Sequence, residues 1–261
     1  MSKRPHKGLR RLPVNNLLPN VLTVLALAAG MTAIRYSLEE RWEWAALAIV
    51  VAAGLDAIDG RIARLLLSES RFGAELDSLS DFIAFGVAPG LLLYLWAGHG
   101  MGDLGWIAAL AYVTCCGLRL ARFNVALDDP DRPPWASNFF SGLSAPGAAG
   151  FAMLPLMLSF EIGEAPWRLP ELVTLCLVLA AVLMVSGIPT FSLKRLRIRR
   201  AHVLPALLIV GLSAAILISY PWVLLPIMCF TYLCSIPFAV RSHRRLAAST
   251  AAAPPPEEAE V

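Results

Sequence analysis

Eight apolar stretches constrain this chain more than any other feature of it. They run over residues 17–35, 43–66, 73–97, 104–125, 143–161, 170–188, 203–219 and 222–239. A bilayer crossing takes roughly 20 apolar residues. Most of these stretches are apolar around nearly the whole helix, which suits helices surrounded by lipid and by one another. With 57% hydrophobic and only 16% charged residues, and a mean hydropathy of +0.65, the chain is too apolar for a soluble domain. The expected fold is all-α: a polytopic transmembrane helix bundle of about eight spans. The last two stretches are short and joined by Ser219-Tyr220-Pro221, so a re-entrant pair is the alternative there. The spacing predicts a basic N-terminal segment over 1–16, a transmembrane domain over 17–240, and a basic, then disordered, tail over 241–261.

The net charge is only +3, but the basic residues are unevenly placed. With the N-terminus in the cytoplasm, all but three of the 22 lysines and arginines fall on one side. They cluster before residue 12, around Arg61, Arg64 and Arg71, at Arg119, Arg122 and Arg132, along Lys194–Arg200, and at Arg241, Arg244 and Arg245. Only Arg35, Arg41 and Arg168 fall on the other. Basic loops stay cytoplasmic, so an integral cell-membrane protein with an even number of spans and both termini cytoplasmic is expected. A cleavable signal peptide is a poor reading of the start, because the first apolar stretch leads into further spans. The five cysteines lie in apolar segments with no CxxC pair, which gives neither a disulfide framework nor a zinc site. The four histidines form no ligand cluster, and nothing in the composition points to nucleic acid.

Against this apolar background stand Asp56, Asp59, Asp77 and Asp81. Carboxylates at membrane depth are costly and usually functional. At 100° per residue, Asp56, Asp59, Gly60, Ala63 and Arg64 share one helical face; Gly73, Asp77 and Asp81 step by four along the next. Four converging carboxylates cannot all remain ionised unpaired, and Arg64 alone cannot neutralise them. Oxygen-only ligands suit a hard divalent ion, Mg²⁺, Mn²⁺ or Ca²⁺, and two ions bridged by shared carboxylates would hold a pyrophosphate. Gly60 and Gly73 remove side chains from the aspartate faces and admit a bulky group. The competing reading is a set of snorkelling polar residues with packing glycines, which four carboxylates at these spacings disfavour.

The run D-x2-D-G-x2-A-R-x8-G-x3-D-x3-D, Asp56 through Asp81, resembles the signature of the CDP-alcohol phosphotransferase family at every specified position. The resemblance implies integral membrane enzymes with a core of six transmembrane helices. These transfer a phosphoalcohol or phosphatidyl group from a CDP-linked donor to a hydroxyl and release CMP. It implies that Asp56, Asp59 and Asp77 bind one metal, and that Asp56, Asp77 and Asp81 bind or approach a second. Asp81 would serve as base for the acceptor hydroxyl. Gly60, Ala63 and Gly73 would line the cytidine pocket, with Arg64 near the donor phosphate. The cofactor implied is Mg or Mn, as two ions, and the assembly implied is a homodimer.

Three further stretches resemble the bacterial and archaeal members of that family that use serine: Leu18–Thr23, Leu118–Asn124 and Phe140–Pro146. Ser144 stands where their pattern has proline. The donor implied is CDP-diacylglycerol and the acceptor L-serine, with membrane lipids as surroundings. Arg119 and Arg122 could hold a carboxylate or phosphate, with Asn124 adding a polar contact. The alternative for both arginines is a positive-inside anchor. For Asn20 and Thr23, donor contact competes with helix capping. Two rival functions are carried forward. One is the same chemistry on glycerol 3-phosphate, inositol phosphate or choline; the other is an ion-coupled transporter using the carboxylates as a relay.

Overall fold

The computed structural model describes residues 17–65, 70–127, 139–191 and 203–251. Each of the eight apolar stretches coincides with helix. The chain forms α1 (Leu17–Leu38), α2 (Trp42–Leu65) and α3 (Arg71–Asp81), then a π-helical turn (Phe82–Val87) that runs without a break into α4 (Ala88–Trp96). After it come α5 (Asp103–Leu127), a short strand β1 (Phe139–Ser141), α6 (Ala145–Ala152), α7 (Leu154–Ile162) and α8 (Pro170–Val185). Strand β2 (Pro189–Phe191), α9 (Val203–Ser219) and α10 (Pro221–Ala251) complete the described chain. Among the described residues, four helical segments are long and apolar enough to cross a membrane: 18–38, 71–96, 103–126 and 221–242. A fifth results if α6 and α7, bent by 45°, count as one span. The bend falls where Pro155 enters α7 and cannot donate to the preceding turn. Helix α2 has span length at 24 residues but carries Glu43, Asp56, Asp59, Arg61 and Arg64.

Small residues let the helices approach closely. Ala33, Ala45, Ala46, Ala52, Ala84 and Ala88 are all essentially inaccessible. A Cβ on Gly30 would lie 2.9 Å from the Ala84 backbone, so α1 meets the π-helical turn backbone to backbone. This is the packing expected where lipid removes most of the hydrophobic incentive for helices to associate. Leu18, Val21, Val24, Leu25 and Met31 on α1, and Leu104, Ile107 and Leu110 on α5, face outward, as a lipid-facing surface requires. The π-helical turn widens the helix, and the buried Tyr112 hydroxyl of α5 donates to the Phe85 carbonyl inside it at 2.6 Å.

Two features were not visible in the hydropathy pattern. Strands β1 and β2 pair antiparallel, Phe140 opposite Thr190, and tie the approach to α6 against the exit from α8. Gly142 follows at φ 82°, with any Cβ within 2.9 Å of the Ser186 carbonyl, so only glycine fits. The other is the length of α10. It continues through the basic run to Ala251, past residue 240, where the transmembrane domain was expected to end. The N-terminal basic segment 1–16, Arg132, the Lys194–Arg200 loop and the tail from 252 lie outside the described residues.

Candidate functional site

Three helices bring polar groups to one level at one end of the bundle. Thr23 is six residues from the start of α1, Asp59 six from the end of α2 and Asp77 six into α3. At 1.5 Å per residue each sits about 9 Å inside that end. Ser70 sets the start of α3: it is extended, and its hydroxyl accepts from the Gly73 N–H at 3.0 Å, an N-cap that satisfies one orphan donor. The arginines expected on the opposite side are indeed at the other end. Arg35 lies in the last turn of α1, Arg41 stacks on Tyr36 and Trp44, and Arg168 donates to the Trp96 carbonyl at the end of α4.

One carboxylate oxygen each from Asp56, Asp59 and Asp77 lie within 4.8 Å of one another. Two oxygens on opposite sides of a hard cation, at 2.0–2.6 Å each, stand about 4–5 Å apart, so this donor set fits one such ion. Asp59 is only 3% exposed. The Thr23 hydroxyl, itself buried, lies 2.7 Å from Asp59 Oδ2 and 3.1 Å from the Pro19 carbonyl. With one proton to give, its shorter, charge-assisted bond is to the carboxylate. Ser80 donates to the Thr23 carbonyl at 3.1 Å, which fastens α1 to α3. Thr23 thus links α1 to Asp59 of α2 and to Ser80 of α3.

Asp81 stands outside this group of three. It is one turn further along α3, about 6 Å deeper, at the edge of the π-helical turn. It remains in electrostatic range of Asp56, Asp77 and Asp59, and of Arg119 on α5. Arg119 and Arg122, expected to act together, diverge. Arg119 turns inward, its Nε buried and without a hydrogen-bond partner. Arg122 is exposed, its Nη1 3.4 Å from the Val185 carbonyl at the end of α8, a favourable place for a cation.

The remaining expected residues sort by neighbour. Asn124 donates to Ser78 Oγ at 2.9 Å and so fastens α5 to α3. A Cβ on Gly73 would lie 3.0 Å from Asn20 Oδ1 and 3.1 Å from Ser70 Oγ. Gly73 thus leaves room for Asn20 and for the cap. Gly60 is partly buried beside Asp59. Ala63 and Arg64 belong to the last turns of α2, but their side chains lie outside the described ones. Ser144, at the unmatched proline position, caps α6 by accepting from the Gly147 N–H at 3.2 Å.

Two features near the site carry no motif. Tyr232 of α10 reaches α6, where a Cβ on Gly147 would lie 2.8 Å from its ring. Below the aspartates, an apolar groove runs between α2, the π-helical turn, α6, α7 and α10, lined by Ile49, Ala53, Phe85, Met153, Met157 and Leu225 among others. Its lining begins at Ala53, one helical turn from Asp56.

Bundle and site together define a polytopic membrane protein with a carboxylate centre suited to a hard divalent cation and, a helical turn away, an apolar groove. The family model "CDP-alcohol phosphatidyltransferase" matches residues 16–193, and a second, "CDP-alcohol phosphatidyltransferase 2", matches 202–237. The chain belongs to the CDP-alcohol phosphatidyltransferase family. It is similar to the CDP-diacylglycerol–serine O-phosphatidyltransferase of Mycobacterium tuberculosis H37Rv, 38% identical over 231 residues, covering 88% of this chain and 80% of that one. The protein of that name from Mycobacterium leprae is 37% identical over 95% of this chain and 82% of its own length. The one from Helicobacter pylori 26695 is 35% identical over 71% and 77%.

Proposed function

We propose that this protein transfers the phosphatidyl group of CDP-diacylglycerol to L-serine, forming phosphatidylserine and releasing CMP. The observation that carries the reading is the three-carboxylate centre of Asp56, Asp59 and Asp77 with Asp81 one turn beyond it, in a chain whose relatives along most of its length bear that enzyme name. The serine oxygen attacks the phosphorus that carries the diacylglycerol, and the bond from that phosphorus to the CMP oxygen breaks. Asp81, offset from the ligand group, takes the proton of the serine hydroxyl, a weak nucleophile at neutral pH. Asp56, Asp59 and Asp77 would hold a divalent ion, which would supply positive charge to offset the pyrophosphate. The family resemblance assigns Gly60, Ala63 and Gly73 to the cytidine and Arg64 to the donor phosphate. The groove from Ala53 to Met157 takes an acyl chain entering from the bilayer.

Eight crossings, with both termini and the carboxylate centre on the cytoplasmic side, follow from the distribution of Lys and Arg. That side is where soluble serine meets a lipid donor. A homodimer, Mg²⁺ or Mn²⁺ as the ion, and a second ion reached by Asp81 are further parts of the proposal. The decisive test is CMP release by purified protein with CDP-diacylglycerol and Mg²⁺ or Mn²⁺, supplied separately with serine, glycerol 3-phosphate, inositol phosphate and choline. Serine-dependent release is expected; release with one of the other acceptors and not with serine overturns the assignment. A single displacement inverts configuration at phosphorus, and net retention would exclude it.

A further inference from the structure

We propose that Tyr232, on the C-terminal helix α10, is an acceptor-specificity residue: its hydroxyl and Arg119 Nε together hold the carboxylate of serine. This rests on the reading of the reaction given above. Among the described residues, four buried side-chain polar atoms have no hydrogen-bond partner, and two of them are Arg119 Nε and Tyr232 Oη. The other two, on Trp167 and Thr174, flank the start of α8, at the end of the bundle away from the aspartates. Arg119 and Tyr232 lie within electrostatic reach of each other although they come from different helices, and Arg119 is also within reach of Asp81.

Native structures leave few buried donors unmatched, and each exception needs a reason. Here the orphaned pair comprises a cationic N–H donor and a phenolic O–H donor. A guanidinium and a hydroxyl within electrostatic reach of each other, both desolvated, suit a carboxylate placed between them. The anion would then be anchored on the side of the site opposite the metal-binding aspartates, with its hydroxyl toward Asp81.

The fold holds Tyr232 in place for this. Its ring packs on the first turn of α6, where any side chain on Gly147 would collide with it at 2.8 Å. Ser144 caps that same turn. Helix α10 is also pinned at its far end, where Trp222 Nε1 donates to Glu43 of α2 at 2.9 Å and the Trp222 ring packs on Phe160. An acceptor lacking a carboxylate leaves both donors unsatisfied, and a site built to hydrogen-bond a group discriminates strongly against analogues that lack it.

The test uses the full-length protein in detergent or nanodiscs, with CMP release measured for wild type and Tyr232→Phe. That variant keeps the ring on Gly147 and removes only the hydroxyl. Serine, serinamide and ethanolamine are the acceptors, the last two lacking the carboxylate. The KM for serine is expected to rise about tenfold, as for loss of one hydrogen bond to a charged group. The kcat and the KM for CDP-diacylglycerol should not move, nor should turnover of serinamide and ethanolamine, so selectivity for serine falls. The melting temperature should not drop, since the variant removes an unsatisfied buried hydroxyl. An unchanged KM for serine overturns the role of Tyr232 while leaving the phosphatidylserine reading intact. So does an equal loss on all three acceptors, which marks a structural role. Absence of serine-dependent CMP release in the wild type overturns both.

Discussion

The two walls of the site are built on opposite principles. On the wall made by α1, α2 and α3, polar side chains are knitted to one another: Thr23 to Asp59, Ser80 to the Thr23 backbone, Ser70 to the start of α3. On the wall made by α5, α6 and α10, Arg119 Nε and Tyr232 Oη are buried without partners. The first wall has to hold several like charges at fixed separations whatever is bound, so its geometry is set in advance by hydrogen bonds. On the reading proposed above, the second would receive the acceptor, and a donor already matched inside the protein would gain nothing from it. Preorganisation suits the group that stays, and unsatisfied donors suit the group that comes and goes.

That contrast can be broken in four places. The largest effect is expected from Asp77→Asn, which removes a charge from the knitted wall. Activity should fall on the order of 10³-fold, and the half-saturating Mg²⁺ or Mn²⁺ concentration should rise. Retention of full activity with an unmoved metal requirement would refute the assignment of this wall. Asp81→Asn should lower kcat about 10²–10³-fold through loss of the base, with a smaller rise in the half-saturating metal concentration than Asp77→Asn produces. An unmoved requirement would remove the second ion from the proposal and leave Asp81 as the base alone.

Thr23→Val deletes the hydrogen bond that orients Asp59. Orienting partners of metal ligands are worth about 10–100-fold in affinity or activity, so this variant should lose about tenfold and regain most of it at high metal concentration. No rescue by metal would mean that Thr23 serves packing alone. The smallest effect is expected from Asn124→Ala. Losing its bond to Ser78 should cost about 1 kcal/mol of stability, seen as a lower melting temperature in detergent, with the KM for serine unchanged. A raised KM would return Asn124 to the acceptor subsite, where its motif first suggested it.

Much of this protein was legible in its sequence because the underlying physics is local. The bounds of α1 to α5 follow from the length of apolar runs, and lipid leaves a chain few alternatives to a helix there. The face shared by Asp56 and Asp59, and the one carrying Asp77, follow from helical rotation alone. So does the separation of Arg35, Arg41 and Arg168 from the other basic residues, since charge near a helix end has nowhere else to go. The tertiary structure decided everything that depends on which helices touch. Helical spacing puts Arg119 and Arg122 on related positions, yet only the packed bundle buries the Nε of one and leaves the other at the end of α8. Spacing puts Asp81 in line with Asp77, yet whether an oxygen one turn deeper joins the same ion depends on the distance across to α2. Gly73 reads as open space on a helical face, and only the fold shows that Asn20 of α1 stands beside it. Tyr232 had no motif at all: it lies 113 positions from Arg119, and only the fold makes them neighbours.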